Sequence, residues 1–82
     1  KVDFSGEYNA LIVVQQDKPG VVAHITNILS EHNVNIAFMR LFREAKGHAA
    51  YTIVESDERL PEGVDALLRQ NPNITDVMVV QP

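Results

Sequence analysis

"DKPGVVAHI", residues 17–25, decides how this chain folds. It follows the apolar run "ALIVV" at 10–14 and opens an apolar stripe, so a strand stops and a helix starts within a few residues. Asp17 is a candidate N-cap, and Pro19 suits a first helical turn, where its missing N–H has no helical partner anyway. Across positions 20–32, Val21, Val22, Ile25, Ile28 and Leu29 follow the 3.6-residue period, with His24, Asn27 and Glu31 opposite. That spacing predicts an amphipathic helix covering one side of a sheet, ended by Asn33 in a left-handed or capping conformation.

On both flanks the period changes to two. "YNALIVVQQ" (8–16) is rich in β-branched residues and reads as a buried strand. In "NIAFMRLFR" (35–43), Ala37, Met39 and Leu41 fall on one face and Ile36, Phe38, Arg40 and Phe42 on the other. "EAKG" (44–47) reads as a hairpin turn with Gly47 at positive φ. "HAAYTIVES" (48–56) returns, Tyr51 and Ile53 on one side, Ala50, Thr52 and Val54 on the other. Leu60-Pro61 opens a second helix carrying Val64, Leu67 and Leu68, which ends at Asn71-Pro72, and "ITDVMVV" (74–80) is the last strand.

The order is β-α-β-β-α-β. Two right-handed crossovers give an α+β, ferredoxin-like sandwich: a four-stranded antiparallel sheet with both helices on one face. Residues 1–7, with only Phe4 to anchor them, read as a lead-in or linker, and 8–82 as one domain. Helices cover one face of such a sheet, yet both faces are apolar here. Phe38, Phe42, Tyr51 and Ile53 therefore read as a partner interface, because a solvent-facing sheet surface alternates with polar residues.

Size points the same way. A chain of 82 residues buries only about 60–65% of the surface that its unfolded form exposes, so self-association or attachment to a larger protein would help it. A start at Lys1 rather than Met reads as an excised or processed segment. There is no cysteine, which excludes disulfides, thiolate metal sites and cysteine nucleophiles within these residues. A net charge of −4 argues against nucleic acid and anionic membrane. No apolar run approaches the roughly 20 residues that span a bilayer, and no signal-peptide pattern is present, so the cytoplasm is the expected compartment.

Catalytic chemistry finds little to stand on. His24 and His32 are too far apart on one helix to chelate an ion, His48 begins a strand, and no acidic cluster completes a metal set. Ser5, Ser30 and Ser56 lack a glycine-flanked elbow. RNA-recognition domains share the element order but need paired aromatics in a basic surround. The segment is expected to be non-catalytic and without metal.

The junction remains. Unpartnered N–H groups where the first helix opens, around Gly20 and Val21, favour an anion, and Gly20 allows close approach. Asp17 supplies an acceptor for an ammonium group; Gln15 and Asn35 offer donor and acceptor together. Donors for a carboxylate beside acceptors for an ammonium describe a free amino acid. Equally, Asp17 could only cap the helix and Asn35 only bond local backbone; the residues alone leave both readings open.

"VVQQDKPGVVAHITNILSEHNVNIAFMRLFR" resembles the front half of an ACT domain, the regulatory amino-acid-binding module of metabolic enzymes. The matching pieces are strand–D-K-P-G-V–helix and Asn-Val-Asn-Ile-Ala at the start of strand two, and the likeness covers about residues 8–81. The Phe-Ser-Gly-x-Tyr lead-in, Asn-Ile-Ala-Phe-Met-Arg and the Lys-Gly turn are similar to the C-terminal part of the bacterial iron–sulfur-dependent L-serine dehydratase β-chain family. That resemblance implies a parent enzyme converting L-serine to pyruvate and ammonia. Its [4Fe–4S] cluster would be held outside this segment, and a catalytic domain or α chain would be the partner.

ACT domains of the D-3-phosphoglycerate dehydrogenase family, the alternative parent, resemble it next. There L-serine binds at a domain–domain interface through residues that fall on Gln15, Asp17 and Asn35. Asn35 matches that pattern; Gln15 and Asp17 depart from it. The resemblance implies a homodimer, edge to edge or back to back, holding L-serine or a similar amino acid; the alternative is a dimerisation module that binds nothing.

Overall fold

A computed structural model describes residues 9–44 and 48–82. The lead-in with Phe4 and most of the 44–47 turn, Gly47 included, lie outside them. The elements are β1 (Asn9–Gln16), α1 (Val21–Glu31), β2 (Ile36–Arg43), β3 (Ala49–Ser56), α2 (Val64–Leu68) and β4 (Ile74–Val80). They form one antiparallel sheet in the order β2-β3-β1-β4, leaving β2 and β4 as edges.

Register explains where the core sits. Leu11 pairs with Val54 and Val79, and Val13 with Thr52 and Val77, so these side chains share one face. On that face Val21, Ile25, Ile28 and Leu29 of α1 and Val64 and Leu68 of α2 close over Leu11, Val13 and Val54. Ile12, Ile53, Met78, Phe42 and Tyr51 project from the opposite face.

Two bulges adjust the edges. In β2, Ile36 pairs with Ser56 but Phe38 with Glu55, so Ala37 is an extra residue. The bulge turns Ile36 to the helix side, where it packs on the core, correcting the strict alternation that grouped it with Phe38. In β4, the register slips opposite Val14 and Gln15, which buries Ile74 while the Thr75 hydroxyl donates to the Val14 carbonyl at 3.0 Å.

Both helices begin alike. Gly20 (φ +89°) and Gly63 (φ +77°) adopt left-handed backbone just before α1 and α2, and each is followed by a buried valine, Val21 or Val64. The second helix is shorter than Leu60-Pro61 to Asn71 suggested: a turn through Gly63 precedes it and only 64–68 are α-helical. Asn33 does take the left-handed conformation, φ 59°, while the Val34 N–H donates to the Leu29 carbonyl at 2.9 Å and closes the end of α1.

Candidate functional site

The β1–α1 junction is built by backbone before any side chain contributes. The Gln16 N–H donates to the Asn73 carbonyl at 2.7 Å and the Asp17 N–H to the His48 carbonyl at 2.6 Å. The chain is thus fixed to the strands on either side as it leaves β1. The His24 N–H donates to the Gly20 carbonyl at 3.0 Å, forming the first helical turn. Among the described residues no side chain caps α1, so its opening N–H groups lack the usual Ser, Thr, Asp or Asn acceptor there. Around Gly20 the space is open: a Cβ there would meet nothing within 4 Å.

Asp17 is therefore not the N-cap. Its carboxylate Oδ2 instead accepts from Arg43 at the end of β2, from Nη2 at 2.7 Å and from Nε at 2.9 Å. The reason is register: Arg43 pairs with Ala50, and Ala50 with Gln15, so Arg43 ends the same sheet row that leads into the loop. Arg43 was not among the residues singled out from sequence. The available signal was an arginine two positions beyond Leu41, on a strand face that is otherwise apolar.

Gln15 is also occupied. It is buried on the helix side of β1, and its Oε1 accepts from the Thr52 hydroxyl at 2.7 Å. Val21 is fully buried, so it offers the junction only its backbone, whose N–H makes a long bond to the Lys18 carbonyl at 3.5 Å.

Asn35 lies at the other end of the sheet. Its neighbour Ile36 pairs with Ser56, which pairs with Asn9 at the start of β1. β2 spans eight residues, about 25 Å at roughly 3.3 Å per residue. Within one chain, then, Gln15, Asp17, Gly20 and Val21 come together and Asn35 does not join them. The Asn35 N–H donates to Glu58 Oε1 at 2.7 Å, and the residue is exposed.

The four residues read as a partner interface differ in what they leave uncovered. Phe38 is exposed and Phe42 and Tyr51 are half-buried, whereas Ile53 is already buried within the monomer. The Arg40 guanidinium lies 4.5 Å from the centre of the Phe42 ring. Tyr51 donates to Glu44 Oε2 at 3.1 Å, and that hydrogen bond together with the Glu44 charge raises the phenol above its ordinary value. The helix side of β2 is open too, with Met39 40% and Leu41 42% exposed.

Among the described residues no three histidine or acidic side chains gather as a metal site, and the whole chain has no cysteine. These residues do not fit an iron–sulfur cluster. No helix among the described residues is long and apolar enough to cross a membrane.

An antiparallel β2-β3-β1-β4 sheet with two helices packed on one face defines the ferredoxin-like α+β class. Within that class the chain belongs to the ACT domain family, whose profile matches residues 9–73. It is 32% identical over 73 residues, 89% of this chain, to a probable L-serine dehydratase β chain of Bacillus subtilis. Over 80 residues, 98% of the chain, it is 30% identical to D-3-phosphoglycerate dehydrogenase of Methanocaldococcus jannaschii. The chain spans only 33% of the first relative and 15% of the second. The C-terminal domain of MgtC from Mycobacterium tuberculosis has the same fold, with a TM-score of 0.66 at 16% identity over 95% of this chain and 90% of that one.

Proposed function

We propose that this chain is the regulatory amino-acid-binding domain of a cytoplasmic amino-acid-metabolising enzyme, an L-serine dehydratase of the β-chain kind, and that two copies hold L-serine or a similar amino acid between them. D-3-phosphoglycerate dehydrogenase is the alternative parent. The observation that carries the reading is the division of the site along β2. The junction sits at one end of this edge strand and Asn35 at the other.

Pairing two β2 edges about a two-fold axis runs them antiparallel. Asn35 of one copy then approaches the junction of the other, and two equivalent sites form. Apolar exposure on both faces of β2, at Phe38, Met39 and Leu41, supports edge-to-edge pairing, which covers both faces at the seam and satisfies the free edge. In each site the ligand carboxylate faces the N–H groups around Gly20 and Val21, and its ammonium faces Asp17. Gln15 supports the wall through Thr52. Arg43 balances the Asp17 charge, which eases approach of the carboxylate beside it.

A ligand bound between two copies tightens the dimer by mass action. Coupling of about 1–3 kcal/mol suffices for allosteric control, so a few contacts that differ between dimer arrangements can steer a catalytic domain or α chain. A [4Fe–4S] cluster of such a parent is held by residues outside this chain.

Calorimetry with L-serine, paired with sedimentation at the same concentrations, tests the reading. The expected result is saturable heat and a dimer that strengthens with ligand. Dimerisation without heat at millimolar amino acid favours the second reading, a module that assembles the enzyme and binds nothing. The existing engagement of Gln15 with Thr52 and of Asp17 with Arg43 is what speaks for that reading.

A further inference from the structure

Where β3 ends, the exposed residues Asp57 and Glu58 are held by side chains of the buried strand ends. Asn9 Nδ2 reaches three successive carbonyls, those of Ser56 at 3.5 Å, Asp57 at 3.3 Å and Glu58 at 2.8 Å. The Ser56 hydroxyl donates to the same Glu58 carbonyl at 2.8 Å. Asn9 and Ser56 are both buried, so the peptide that carries Glu58 is fixed from beneath by the two central strands. From this fixed peptide the Glu58 carboxylate reaches out to the Asn35 N–H at 2.7 Å.

We propose that Glu58 is a positioning residue for the amino-acid site: its carboxylate locks the backbone of Asn35, so that the exposed Asn35 side chain is presented to the partner copy in one orientation. This rests on the reading of Asn35 as a ligand residue. The need for such a lock follows from the local backbone. Asn35 lies between the left-handed turn at Asn33 and the bulge at Ala37, where ladder hydrogen bonds do not hold the chain on both sides. A carboxylate–amide bond is stronger than a neutral one, and its acceptor comes from a turn anchored to β1 and β3. Glu58 never touches the ligand in this arrangement. It acts through Asn35 alone.

The test compares Glu58→Ala and Glu58→Gln with the unaltered chain, measuring both the L-serine Kd by calorimetry and the thermal midpoint. Loss of the charged hydrogen bond is expected to weaken L-serine binding about 10-fold in Glu58→Ala. Glu58→Gln, which keeps an acceptor oxygen, should return to within about 3-fold of the unaltered chain. A purely structural role would lower the midpoint of Glu58→Ala and leave the Kd of the folded protein unchanged, which overturns the proposal. Equal weakening in both variants overturns it as well, because charge rather than positioning would then be responsible. If the unaltered chain gives no heat with L-serine or with similar small amino acids, the amino-acid reading itself fails; if it binds and Glu58→Ala binds equally, only the role of Glu58 fails.

Discussion

Arg43 and Asp17 are joined by two contacts to a single oxygen, Nη2 at 2.7 Å and Nε at 2.9 Å from Oδ2. The pair ties the end of an edge strand to the loop that opens α1. Its energetic weight is limited by solvent, since the Arg43 side chain is half-exposed. Arg43→Ala should therefore lower stability by no more than about 1 kcal/mol, a difference that shrinks as salt is raised. Urea denaturation at low and at 1 M salt checks this; a loss of several kcal/mol would mean that the loop depends on the pair.

The left-handed glycines make a second expectation. At Gly20 and Gly63 a Cβ would meet nothing within 4 Å, yet φ is +89° and +77°. Alanine there suffers backbone strain without a clash, so each single Gly→Ala change should cost about 1–2 kcal/mol. Chemical denaturation measures it. A stabilising Gly20→Ala would contradict the assigned backbone.

The buried Gln15–Thr52 hydrogen bond predicts a non-additive pair. Thr52→Val keeps the shape but leaves Gln15 Oε1 without its donor, a loss of about 1–3 kcal/mol. Adding Gln15→Met to Thr52→Val should recover much of that, because both polar groups are then gone. Additive losses in a double-mutant cycle would show that the two residues do not act together.

At the far edge, Arg69 donates to Asp76 Oδ1 at 3.0 Å and the Val77 N–H donates to the same atom at 2.9 Å. These bonds, the Arg69 one foremost, hold the Asp76 carboxyl below its ordinary value. A carboxyl depressed in the folded state contributes stability above its unfolded value, near 3.9, and loses it as pH falls through the folded value. Asp76→Asn should therefore lower stability slightly at neutral pH, flatten the acid limb of the stability curve, and leave stability unchanged below the folded value. A carboxyl titrating at or above its ordinary value by NMR would contradict the bond.

Element order and the α1 face were legible in the sequence because they follow from periodicity, which is a local property, and the antiparallel sheet followed from that order. Ile36 shows where that stops: alternation put it beside Phe38, and one extra residue at Ala37 reversed it. Nothing in the residue types there announces a bulge. A cap is the local reading of Asp17, whereas its bond to Arg43 spans 26 residues of sequence. The Gln15–Thr52 and Glu58–Asn35 contacts are likewise products of register. The family motif was legible as a pattern, but a pattern carries no distances. Only the fold separates Asn35 from the junction by the length of β2, and the proposed division of the site between two copies rests on that separation.

Complementation between two defective chains tests the divided site most directly. Asn35→Ala lacks one half of each site and Asp17→Ala the other, so each homodimer should bind L-serine poorly. In a mixed dimer, one site combines the intact junction of the first chain with the intact Asn35 of the second. Calorimetry on the mixture, after exchange of subunits, should recover L-serine binding at about one quarter of all sites, the share expected when half of the dimers are mixed and each restores one of two. A mixture no better than its components, while the unaltered chain binds L-serine, would place the whole site within a single chain and contradict the account.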